Sequence, residues 1–107
     1  MLWNLAAWRY NIIMAKELFR TLLATRSFKI ERIISTGQAT KEGKWLKGKR
    51  NEWVILVKGA ARLRFFKNNR VVKMKTGSHV LIPANTLHRV DWTDPRQKTI
   101  WLAVHYK

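Results

Sequence analysis

The chain has no cysteine and only six acidic residues, and these two scarcities exclude more chemistry than any motif in it suggests. Without thiols there are no disulfides, thiolate zinc sites or cysteine nucleophiles, a composition that fits a reducing compartment and sets a cytoplasmic expectation. A metal could be held only by His79, His88 or His105 together with carboxylates from Glu17, Glu31, Glu42, Glu52, Asp91 and Asp94. Two prolines and five glycines in 107 residues exclude collagen-like and low-complexity chains. No uncharged stretch reaches the roughly 20 apolar residues of a membrane span. Arg9 is the first basic residue, so no cationic segment precedes an apolar run, and neither secretion nor membrane insertion is expected. The G-x-S-x-G elbow, the glycine-rich phosphate loop and the H-E-x-x-H helix are all missing.

Basic residues are abundant. Lysine and arginine number 22 against six acids, giving a formal charge of +16, and twelve of them fall between Lys41 and Lys75. Such an excess repels like molecules and attracts polyanions. Trp45, Lys47, Lys49 and Arg50, and again Arg64, Phe66 and Lys67, interleave rings with cations as a surface for stacked bases and phosphates would. No nucleic-acid signature motif accompanies them, and a charge excess more often marks a solvated face.

With 47% hydrophobic residues, the length suits one domain. Leu5, Trp8, Ile12, Ala15, Phe19 and Leu22 recur in steps of three and four, which predicts an amphipathic helix over 5–23. Residues 1–27 are therefore expected as an N-terminal helical segment packing on the barrel or a partner. After Ser27 the period changes to two, predicting strands near 28–36, 44–47, 52–58, 61–67, 70–75, 79–82, 87–92 and 98–106. Ala61, Leu63 and Phe65 alternate with arginines, Asn68-Asn69 supplies a turn tolerant of positive φ, and Val72 and Met74 alternate with lysines: a hairpin with one cationic face. Short strands at this spacing read as an all-β sandwich or barrel over 28–107.

Glu52 is followed by six residues and Gly59; Gly77 is followed by five residues, Pro83, Ala84, Asn85, two more and His88. This resembles the two cupin motifs, G-x5-H-x-H-x3,4-E-x6-G and G-x5-P-x-G-x2-H-x3-N, with Asn85 and Trp92 departing from the second. Over roughly residues 15–107 the chain is similar to a small single-domain bacterial cupin with a degenerate first metal-binding motif. The resemblance implies a double-stranded β-helix, or jelly-roll barrel, and frequent dimerisation. It also implies a divalent metal held by two histidines, the glutamate and the second-motif histidine. Only Glu52 and His88 match. The other two positions hold Trp45 and Lys47 at the four-residue spacing, or Leu46 and Gly48 at the three-residue spacing.

Strand alternation gives Glu52 the face of Val54 and Leu56, and His88 the face of Val90 and Trp92, both apolar and therefore inward. Trp45, Lys47, Glu52, His88 and Trp92 are the predicted ligand-binding residues, with Lys47 expected to neutralise Glu52 in place of a metal. Glu52 reads equally as a rim carboxylate beside Lys49 or Arg50, and His88 as a satisfied core histidine. His79 is expected at the surface, and His105, alternating with Trp101 and Ala103, is expected to be structural. The leading function is binding of a small anionic molecule inside the barrel. The alternatives are a metal-dependent cupin enzyme of dioxygenase or isomerase type using Glu52 and His88, and a polyanion-binding module working through its outer basic face.

Overall fold

Residues 16–107 are described by a computed structural model, in which the period-two stretches become antiparallel strands. These are β1 (Leu18–Ala24), β2 (Phe28–Ser35), β3 (Asn51–Lys58), β4 (Ala60–Phe65), β5 (Arg70–Lys75), β6 (His79–Ile82), β7 (His88–Thr93) and β8 (Thr99–Tyr106). They form one sheet ordered β1-β2-β8-β3-β6 and a second ordered β5-β4-β7. Every second residue turns into the space between them: Glu52, Val54 and Leu56 on β3 are buried, while Trp53 and Ile55 are only half-buried. The floor of that space is apolar, with Ile33, Val54, Leu56, Leu63 and Trp101 completely buried. Each such side chain contributes about 1.5–3 kcal/mol, which is what holds the two sheets face to face.

The turns follow local chemistry. Asn68 and Asn69 take φ values of 60° and 49° between β4 and β5, as their tolerance of the left-handed region predicts. Gly59 carries the chain from the larger sheet to the smaller at φ +97°, pressed against the backbone of Thr99.

Three expectations need correction. The predicted helix ends in strand: Leu18–Ala24 is β1, paired with β2 from Leu18↔Ile34 to Ala24↔Lys29, so main-chain pairing within the sheet overrides the three-and-four spacing. The rest of that helix lies outside the described residues. The strand expected at 44–47 shrinks to a bridge in which Leu46 N donates to His88 O at 2.7 Å and His88 N to Leu46 O at 3.0 Å. The third concerns β7, where Leu63 pairs with Val90 but Arg62 pairs with Trp92, leaving Asp91 as an extra residue. This bulge reverses the alternation, so Thr93 rather than Trp92 is buried.

Candidate functional site at one end of the barrel

β3 and β7 place Glu52 and His88 at the same end of the sandwich. Glu52 pairs with Ile82, the last residue of β6, and the short loop after Ile82 leads directly into His88 at the start of β7. Both side chains face inward and are buried, Glu52 at 8% exposure and His88 at 4%. Glu52 Oε2 and His88 Nε2 are both enclosed with no hydrogen-bond partner among the described residues. Buried polar atoms are nearly always paired, so two orphans at one end of a barrel make that end the candidate site.

Their protonation follows from their surroundings. Burial pushes the Glu52 carboxyl from 4.5 up to about 7, against the opposing charge of His105 and with Glu31 adding to the rise. Burial holds His88 below its ordinary value, outweighing its bond to Thr86. His88 Nδ1 lies 2.8 Å from the Thr86 carbonyl, which can only accept, so Nδ1 carries the proton and the neutral ring presents a bare Nε2 lone pair. Near neutral pH this end of the barrel therefore offers a carboxyl able to donate and an imidazole nitrogen able to accept.

Two further residues belong here. His105 on β8 is the register partner of Glu52 and also of Lys29 on β2, and its Nε2 lies 3.3 Å from Glu31 Oε1. Burial raises Glu31, but the hydrogen bond to His105 and the charges of Lys29 and His105 outweigh it and leave the carboxyl below its usual range. Sequence reasoning passed over Glu31 and assigned His105 a structural role. The inward phase of β2 and β8, which Glu31 shares with Ile33 and His105 with Trp101, was the available signal. Toward the other end of the inner face, Trp101 Nε1 donates to Ser35 Oγ at 3.1 Å and Ser35 Oγ donates to Glu17 Oε2 at 2.6 Å. Burial raises Glu17 to about 7, despite the Ser35 bond.

The other predicted residues lie elsewhere. Lys47 is exposed, and no described ion pair joins it to Glu52, whose charge is relieved by protonation instead. Trp45 is half-buried, packs edge-on against Phe66 at 5.2 Å and lies under the Arg89 guanidinium. Leu46 is the buried residue bridged to His88, so the three-residue spacing describes this chain. Trp92 shares the outer face of Arg62 through the bulge. His79 is exposed, as expected.

The metal implied by the resemblance finds a poor donor set. Glu52 and His88 supply two ligands, Leu46 and Gly48 replace the others, and no group of three or more metal-binding side chains stands together among the described residues. Sites with three or more protein ligands are the usual pattern.

Two antiparallel sheets packed face to face, with polar groups set into an otherwise apolar interior, define a jelly-roll barrel. The chain belongs to the cupin superfamily. It is 40% identical to a protein of Ralstonia eutropha JMP134 provisionally assigned as a mannose-6-phosphate isomerase, over 90% of this chain and 89% of that one, with a TM-score of 0.84. A cupin superfamily protein of Desulfitobacterium hafniense DCB-2 shares the fold at TM-score 0.70 and 12% identity, over 85% of this chain and 77% of that one. The iron(II) form of HppE does so at TM-score 0.70 and 14% identity, over 84% of this chain and 50% of that one. No family model and no curated protein matches the sequence. No helix among the described residues is long and apolar enough to cross a membrane.

Proposed function

We propose that the protein binds a small hydroxylated molecule at the Glu52–His88 end of its barrel. The observation that carries this reading is the pair of orphaned atoms, Glu52 Oε2 and His88 Nε2. A hydroxyl group is both donor and acceptor, so it can give its proton to Nε2 while accepting from the protonated carboxyl. The anionic ligand expected from an inward Lys47 loses that support, because Lys47 is exposed. Lys29, whose charge acts on both Glu31 and Glu52, is the cation that could meet a phosphate on the same molecule.

The 40% identical relative makes a phosphorylated sugar the first ligand to try. Mannose 6-phosphate, mannose and inorganic phosphate titrated into the protein near neutral pH should separate the contributions. The sugar phosphate is expected to raise the melting temperature, since ligand at 100 times its dissociation constant stabilises by ~2.7 kcal/mol. His88→Ala should abolish the rise. A shift from phosphate alone that survives His88→Ala would overturn the interior reading.

A second reading, sugar isomerisation, draws on the same protonated acid and neutral imidazole, which are the kinds of group that move protons near neutral pH. Turnover of mannose 6-phosphate by the wild type, lost in both Glu52→Gln and His88→Ala, would establish it. Both readings treat the site as working without a resident metal. Metal analysis of protein purified without chelator tests that point, and about one equivalent of iron, nickel or zinc would overturn it.

A further inference from the structure

The outer face of the smaller sheet brings like charges together at a cost. Arg64 on β4 stands opposite Arg89 on β7, and Arg62 opposite Lys73 on β5, arrangements that repel across a sheet. One carboxylate organises the arginines. Asp91 accepts from Arg64 Nε at 2.7 Å and Arg89 Nε at 2.8 Å, and Arg62 Nε lies 3.8 Å away. Three guanidinium groups against one carboxylate leave the cluster positive, and Arg62 Nε is enclosed without a hydrogen-bond partner among the described residues. The bulge that removes Trp92 from the interior is also what delivers Asp91 to this cluster.

Aromatic rings flank the arginines on both sides. Trp92 is paired with Arg62 at one end of the face. At the other end Phe66, 59% exposed, packs edge-on against Trp45, which in turn lies 5.9 Å below the Arg89 guanidinium. Fixed cations between two half-buried indoles and the exposed ring of Phe66, on a sheet whose strands lie about 4.8 Å apart, match a flexible chain of phosphates carrying flat bases. A rigid duplex hides its bases, and an acidic protein has no flat bases to stack on an exposed ring.

We propose that this face, centred on Arg62, Arg64 and Arg89, binds single-stranded nucleic acid, with Phe66 stacking a base and the arginines neutralising phosphates. This site is separate from the barrel interior and stands whether or not a sugar binds there.

Fluorescence anisotropy with labelled twelve-nucleotide oligo(dT) and oligo(U), at two salt concentrations, tests it. Affinity is expected to fall steeply with salt, with a log–log slope of about −2 if three phosphates are contacted. Phe66→Ala, at an exposed position that the fold does not need, should weaken binding at fixed salt by about 5-fold or more. Lys73→Glu should weaken it further and flatten the salt slope. Arg20→Glu makes the same charge change on β1 of the larger sheet and should alter affinity less than about twofold. The proposal is overturned if Arg20→Glu weakens binding as much as Lys73→Glu. It is equally overturned if Phe66→Ala has no effect, or if a duplex of the same length or heparin binds Phe66→Ala and wild type alike and more tightly than the single strands.

Discussion

Gly59→Ala is expected to remove a large share of the protein's stability. At φ +97° an L-residue is strained by about 1–2 kcal/mol. The new methyl would also stand 2.7 Å from Thr99 Cα and 2.9 Å from the Lys98 carbonyl oxygen, and both are backbone of the central strand region and cannot swing aside. Overpacking of this kind costs a further 1–3 kcal/mol or so. Together these come to about 2–5 kcal/mol, against the roughly 5–15 kcal/mol by which small domains are stable. Urea melts should show that loss, with a melting temperature lower by about 8 °C or more. Gly77→Ala is the matched control: its φ of +91° carries the same conformational strain, but nothing lies within 4 Å of the added carbon. If the two variants lose equal stability, the close approach to Thr99 is not what makes Gly59 necessary.

The second large effect is the decline in stability with rising pH that Glu52 contributes, and its removal by Glu52→Gln. Burial lifts the Glu52 carboxyl to about 7 in the folded protein, from 4.5 when unfolded. Below 4.5 both states hold the proton, and Glu52 exacts no penalty. Between 4.5 and 7 the unfolded chain releases its proton first, so unfolding becomes more favourable, and above 7 the whole penalty applies. A rise from 4.5 to about 7 corresponds to about 3 kcal/mol. Glu52→Gln should therefore be more stable than wild type by about 2–3 kcal/mol at pH 8 and no more stable at pH 4. Because burial raises Glu17 in the same direction, the variant keeps a residual slope of the same sign, which Glu17→Gln should reduce in turn. Chemical denaturation at four or five pH values measures both. A variant that gains nothing at pH 8 would mean that Glu52 keeps its charge and has a partner there.

These two predictions draw on parts of the molecule that were unequally legible in the sequence. Alternation of side chains along β2 to β8 announced the barrel, and Asn68-Asn69 announced its hairpin, because both are local chemistry. β1 was hidden: six of its seven residues are exposed, so no buried face imposed a period of two, and its Phe19 and Leu22 fell by chance on a helical spacing. The inward direction of Glu52 and His88 could be read from their apolar neighbours. Trp92 could not be placed, because a bulge adds a residue without changing composition, and it turned the expected pocket wall into part of the outer face. The choice between Trp45 and Leu46 depended on a spacing that the motif itself leaves variable, and the bridge of Leu46 to His88 decides it. Glu31 and His105 were missed as a pair because the phase of each strand shows only that both turn inward, while which residues meet across neighbouring strands depends on the register between them.

The hydroxyl of Ser35 ties a carboxyl to an indole inside the barrel. When Glu17 ionises, a full negative charge appears one oxygen atom away from Trp101, and polar groups linked in this way polarise one another. The ultraviolet emission of that one ring, isolated by comparing the protein with Trp101→Phe, is therefore expected to shift as the neighbouring acid lets go of its proton.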